Sequence, residues 1–437
     1  MKKIIIFFLF FSFSAAAQIY NWEILPNSHE AARHDDIHFL TPYLGWAVNS
    51  QGEILKTTDG GNSWNLKFNN LSYFRSVKFT DSLHGFVGTI NSNLEDTNAV
   101  LYVTRDGGET WSPEYNIPNP KPKGICGLSV AGNTIYGSGA FYGPAIVIKS
   151  SDNGKTWNSI NLNKYASTLV DCYFFSPDSG FIVGGSPNSV FNPQTGTIKA
   201  VVLFTSNGGK TWHTKYTGSV QPEWGWKIVF PTKKIGYVSI ENFNSASILK
   251  TTNGGNSWIK INIPDLTDLE GIGFINDMTG WIAGRDIEAF TSNGGLTWTT
   301  QNIDVGESIN RFQFFGDTIG YASGKRIYKY KKNSSVFVHN KKNIVKSFLL
   351  SQNYPNPFNP TTTIEYILPE PSKVLIRIYD GLGKELLTLL NTYQTSGKHL
   401  IKWYGKDSKG NEVSSGAYIY RIDTGKLSES KMMLLIK

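Results

Sequence analysis

Two groups of residues are suited to chemistry. His29, His34, Asp35, Asp36 and His38 lie close together near the start of the chain, and imidazole with carboxylate is a donor set that suits zinc. Their spacing fits equally a strand that alternates core and solvent residues, with Asp35-Asp36 capping a turn. On that second reading no metal and no cofactor is expected. The other group is the carboxylates Asp36, Asp96, Glu223 and Glu241, a pair of which could act as acid and base in glycoside hydrolysis. Beside Glu223, the aromatic residues Phe191, Trp224 and Trp226 could offer stacking faces to a sugar or peptide, or could pack within a rim. The sequence has no nucleophile–base motif, phosphate loop or H-E-x-x-H.

What must position these residues is a repeat. TTDGGNSW ends at Trp64, TRDGGETW at Trp111, SSDNGKTW at Trp157, TSNGGKTW at Trp212, TTNGGNSW at Trp258 and TSNGGLTW at Trp298. The intervals of 47, 46, 55, 46 and 40 residues are those of propeller blades. Upstream of the boxes a second motif recurs: FLTPYLGWAV, FTDSLHGFVG, a degenerate LSVAGNTIYGSG, FFSPDSGFIVG, FPTKKIGYVS, FINDMTGWIAG and FFGDTIGYASG. Each is an apolar strand, a polar turn and a glycine-aromatic pair opening the next strand. Seven copies of this half against six boxes leave one outer strand missing. Residues 20–25, YNWEIL, look like the strand after a box, with Trp22 in the place of a box tryptophan. The predicted fold class is therefore all-β: a seven-bladed β-propeller over 18–330, closed by an N-terminal outer strand.

The boxes resemble the Asp-box, or bacterial neuraminidase repeat. Asp59, Asp106 and Asp152 in the first three, and Asn207, Asn253 and Asn293 in the last three, are read as structural. Each can accept hydrogen bonds from its own turn, while the glycines take positive φ and the tryptophans (Trp64, Trp111, Trp157, Trp212, Trp258, Trp298) pack between sheets. Sialidases share this box but need an arginine triad and an R-I-P motif. Here the region has only Arg33, Arg75, Arg105, Arg285, Arg311 and Arg326, and no R-I-P. The pairing of G-[WFY]-x-x-G with [ST]-[DN]-G-G-x-[ST]-W is more similar to the photosystem II assembly-factor family of seven-bladed propellers. That resemblance covers residues 20–330 and implies a fold more than a function. Xyloglucanases use such blades too, but as tandem rings with an Asp pair across a cleft.

In a four-stranded blade the second-to-third and fourth-to-first loops share a face. The segments that vary in length, 91–99, 112–124, 186–199, 219–226 and 241–247, all fall there, and loops on a rigid scaffold carry function. The expected function is a non-enzymatic binding or scaffold protein taking a glycan or protein ligand on that face, with Phe191, Trp224, Trp226 and Glu223 as ligand-binding candidates. A surface glycoside hydrolase is the alternative.

The net charge of +8 is misplaced for nucleic acid. Residues 331–437 hold 16 Lys/Arg against 8 Asp/Glu, while 18–330 hold 24 against 26, so no blade surface has the basic concentration of a nucleic-acid partner. Cys126 and Cys172 are too few for a disulfide scaffold.

The chain ends carry address signals. Lys2-Lys3, the apolar run 4–13 and Ala15-Ala16-Ala17 match a signal peptide over 1–17, too short for a bilayer span of about 20 residues. No transmembrane segment is expected in the mature chain. After a basic linker, 331–347, the alternating strands and D-G-x-G, D-S-K-G-N and S-S-G turns of 348–437 predict a small Ig-like antiparallel β-sandwich. NYPNPFNPTTTI, the V-x-I-x-I-Y-D-x-L-G-K pattern, G-x-Y-x-Y-R and the terminal KMMLLIK together resemble the type A sorting domain of the type IX secretion system. The resemblance implies that residues 348–437 engage the type IX machinery and a sortase-like protease as partners, leaving the protein secreted or on the outer cell surface.

Overall fold

The computed structural model describes residues 20–436 except 26, 27, 29, 91–98, 190, 191, 193, 194, 265, 286, 302–308, 333–347, 396 and 426. The chain divides into two compact units, residues 1–336 and 337–437. No helix among the described residues is long and apolar enough to cross a membrane.

In the first unit the described strands form seven four-stranded antiparallel sheets. Six are meanders of consecutive strands: sheet I spans 34–69, II 73–113, III 127–161, IV 168–217, V 224–263 and VI 269–301. Sheet VII joins Arg311–Phe315, Ile319–Ser323 and Ile327–Lys332 to a strand from the other end of the described chain, Tyr20–Ile24. Trp22 lies opposite Tyr330 in that antiparallel pairing.

The glycine-aromatic pair locks neighbouring sheets together. Gly45 pairs with Phe39 at the turn of sheet I, and a Cβ on Gly45 would lie 2.4 Å from the Phe39 ring. With no side chain there, the ring lies flat and takes an aromatic residue of the preceding sheet on its other face. Tyr321 stacks on Phe39 at 3.7 Å, Trp46 on Phe79 at 3.5 Å, Tyr136 on Phe174 at 3.5 Å and Tyr237 on Phe274 at 3.7 Å. Stacks of this kind are worth about 0.5–1.5 kcal/mol beyond the area they bury.

The second unit is a sandwich. Three strands, Leu349–Leu350, Thr362–Leu368 and Gly397–Trp403, face four, Glu385–Gln394, Ser372–Asp380, Gly416–Asp423 and Ser428–Leu435. Thr362–Leu368 alternates buried and half-buried residues along its whole length, the period-2 pattern of a strand with one core face. Ile364, Tyr366, Ile376, Tyr420, Trp403 and Met433 fill the core. Asn353 of the NYPNPFNP segment is buried, with its amide donating to Thr362 Oγ1 and the Pro355 carbonyl.

Candidate functional site

In each box the acid or amide meets the hydroxyls and amides of its own turn. In the first, Thr57 Oγ1 accepts from Gly61 N at 2.9 Å and donates to Asp59 Oδ1, which also accepts from Ser63 N, both at 2.9 Å. Gly60 and Gly61 take φ of 73° and 86°, the left-handed region that glycine enters without steric cost. Asp106, held at about 2 by the Thr110 hydroxyl and further turn hydrogen bonds, repeats the arrangement, as does Asp152 with Thr156. In the later boxes one bond reverses. Ser63 Oγ donates to Asp59 Oδ2, whereas Asn253 Nδ2 donates to Ser257 Oγ; Asn207 and Asn293 donate likewise to Thr211 and Thr297. A hydroxyl can take either role, so Asp and Asn serve the same turn. Trp64, Trp111, Trp157, Trp212 and Trp258 are buried, and Trp298 packs partly buried beside Phe274.

A different polar set gathers where the first strands of the sheets converge. Five of these seven strands carry a register shift at the same place, around Asp35, Arg75, Val170, Trp226-Lys227 and Glu270. A bulge of this kind re-aims a side chain out of the ladder's alternation. Charged residues thereby meet across sheets that are remote in sequence. Arg75 pairs with Asp35 and lies 4.9 Å from the Trp226 ring. Arg33 contacts Asp35 at 2.8 Å and grips Glu270 through both oxygens, at 3.0 and 2.8 Å. Arg311 joins sheets I and IV by binding Asp36 at 2.8 Å and Asp171 at 3.0 and 3.1 Å. Those carboxylates also accept from Val77 N and Ile228 N.

Electrostatics divide this centre. Burial works to raise Asp36, but Arg311, Lys78 and Lys227 outweigh it and hold the carboxyl at about 2. Burial lowers Arg75 to about 10 and takes Lys227 well below the usual lysine range. Glu241 ends the second strand of sheet V, and Asp268 immediately precedes the first strand of sheet VI. In an antiparallel meander, second-strand ends and first-strand starts share one end, that of the variable loops. Burial, then Glu270 and Asp268, push Glu241 well above the carboxylate range, and burial with Glu270 raises Asp268. Each is 5% exposed, and neither Glu241 Oε2 nor Asp268 Oδ1 accepts a hydrogen bond from the described residues. Asp268 has a φ of 56°, and strained backbone of this sort collects at functional sites.

The sequence-derived candidates scatter. Phe191, Asp96 and His29 lie outside the described residues. Trp224 and Trp226 are buried against Val170 and Ile198 rather than presented to solvent, and Trp226 Nε1 donates to Asn310 Oδ1 at 2.9 Å. Of the two roles open to this pair, the structure shows packing. Glu223 is buried in an ion pair with Lys260 of its own sheet. The His/Asp cluster is dispersed: Asp35 and Asp36 serve arginines, while His38 stacks near Phe79. Among the described residues no group of three or more His, Cys, Asp or Glu is placed to hold a metal ion. Cys126 and Cys172 are free, buried thiols, both raised by burial. Arg33 and Arg75 meet at Asp35, and Arg311 binds Asp36 and Asp171, so each is committed to carboxylates of the protein. Trp22 contacts Trp281 at 5.7 Å, Phe314 at 6.1 Å and Tyr330 at 5.6 Å.

Residues 102–113 match the BNR/Asp-box repeat and residues 358–426 the FlgD Ig-like domain. Among solved structures, YCF48 from Cyanidioschyzon merolae is 18% identical, covers 72% of this chain and 100% of its own, and superposes with a TM-score of 0.54. YCF48 bound to D1 peptide gives 16% identity, 72% and 97% coverage and 0.53. The fold is a β-propeller. The GH74 xyloglucanase from Xanthomonas campestris, 10% identical with a TM-score of 0.53 over 87% of this chain and 63% of its own, shares the propeller architecture. No curated protein matches the chain in sequence.

Proposed function

We propose that this is an exported, cell-surface β-propeller that binds a glycan or protein partner on its variable-loop face and does no chemistry on it. The observation that carries this reading is the commitment of its carboxylates. Asp36 is clamped by Arg311 and Glu223 by Lys260, so neither is free to act as acid or base. The ring has seven blades over 18–330, and the strand Tyr20–Ile24 closes it. Trp22 lies against Phe314 and Trp281, much as Trp258 lies against Phe230 and Phe181, which supports its standing in for a box tryptophan. Residues 1–17 are a signal peptide and 331–347 a linker. Residues 348–437 are the type IX sorting domain, recognised by the secretion machinery and removed by its sortase. That a YCF48 propeller has been solved with a D1 peptide supports a peptide as one class of ligand.

Glycoside hydrolysis is favoured by one feature, the raised carboxyl of Glu241 beside Glu270, since a general acid needs a proton at neutral pH. A hydrolysis and binding screen of the purified protein against polysaccharides and peptides separates the readings. Binding without turnover is expected; turnover abolished by Glu241→Gln contradicts the proposal. Fractionation tests export: deletion of 348–437 should strand a folded propeller in the periplasm, and a truncated protein still at the surface defeats the sorting role.

A further inference from the structure

We propose that Glu241 and Asp268, at the variable-loop end of the converging strands, receive the side-chain ammonium of a lysine in a basic peptide segment. The inference rests on the binding reading above and names the chemistry of its ligand.

Asp268 N donates to the Asn242 carbonyl at 3.0 Å, which sets Asp268 beside the end of the strand that carries Glu241. Three guanidiniums stand nearby, Arg33, Arg75 and Arg285. Arg75 is taken by Asp35, and Arg33 by Asp35 and Glu270. Arg285, two-thirds exposed, lies 3.5 Å from Asp268 Oδ2. No cation pairs with Glu241 among the described residues. Among the described residues no donor reaches Glu241 Oε2 or Asp268 Oδ1, although both side chains are more than nine-tenths buried, and an unmet buried acceptor is costly unless a ligand meets it.

Among the described residues no group of three or more His, Cys, Asp or Glu stands here as a metal site, and the ligand proposed is organic. Its depth selects the carrier: a lysine ammonium has three donors on a thin four-carbon stem that a sugar ring lacks. Burial and the neighbouring carboxylates oppose ionisation of Glu241, so binding of an ammonium to its carboxylate is coupled to release of a proton and strengthens as pH rises.

The test is calorimetric titration of the full chain with acetyl-Ala-Lys-Ala-amide at pH 6 and 8, in two buffers of different ionisation enthalpy. Binding at least tenfold tighter than that of the norleucine peptide, proton release, and a loss of tenfold or more in both Glu241→Gln and Asp268→Asn are expected. Asp59→Asn, in a box, should leave the affinity unchanged. Equal binding of lysine and norleucine peptides overturns the ammonium site while leaving a binding face in place. Preference for glucosamine over the lysine peptide, no binding of either at millimolar concentration, or full affinity in both variants overturns it as well.

Discussion

The box end and the loop end of the propeller treat their polar groups in opposite ways. In each box the acid or amide, the hydroxyls and the turn amides meet within eight residues, and the same solution recurs six times with Asp or Asn. At the loop end the charged residues come from sheets far apart in sequence, none repeats, and oxygens of several buried carboxylates, Glu241 and Asp268 among them, have no donor among the described residues. Repetition of one turn network marks what the fold needs. Singular, incompletely met charge marks what the fold tolerates for another purpose, since stability is commonly given up at functional sites.

The largest expected effect is at the centre itself. Arg311→Met leaves Asp36 and Asp171 buried without their shared guanidinium, and should cost about 3–5 kcal/mol in urea unfolding; a loss below about 1 kcal/mol would mean the clamp does not hold the blades. Next is the ring's join. Trp22→Ala should cost roughly 1.5–3 kcal/mol, and deletion of 18–26 should destabilise the propeller far more than deletion of 348–437. Equal melting temperatures for the two deletions would contradict closure by that strand. In acid, Asp36 supplies stability that is complete above its unfolded value of about 3.9. That stability, about 2 kcal/mol, is lost as pH falls towards the folded value of about 2. Arg311→Met should lose this part of the acid transition, and an unchanged acid limb would assign it elsewhere. The smallest effects belong to the boxes: Asp106→Ala should cost about 1 kcal/mol and Asp106→Asn almost nothing, because Asn207, Asn253 and Asn293 already make the turn. Thermal melts of the two side by side decide it.

Much of the fold was legible because repeats write local physics many times over. The box fixes its turn with residues a few positions apart, and Gly45 or Gly236 before an aromatic is required by the ring it faces. The centre was not legible from spacing. Arg75, Asp171, Lys227, Glu270 and Arg311 sit in largely apolar runs such as FRSVKF, LVDCYF and GWKIVF, and only the sheet register brings them to their partners. One signal was present: a charge inside a strand buried on both faces needs a partner. Surface-facing roles for Trp224 and Trp226 arose from reading aromatic residues near a variable loop as exposed. The bulge at Trp226-Lys227 instead turns that segment inward.

The most direct measurement of the contrast is the melting temperature of Glu241→Gln beside Asp106→Asn, across neutral pH. Burial and neighbouring carboxylates raise the Glu241 carboxyl, so its contribution is favourable at low pH and lost as pH rises through the folded value. The isosteric amide removes that loss. The account predicts that Glu241→Gln melts higher than the parent at pH 8, with the gain shrinking as pH falls, while Asp106→Asn stays level throughout. A Glu241→Gln protein that melts lower than the parent at every pH would make Glu241 one more structural group, and would contradict the distinction between the two ends.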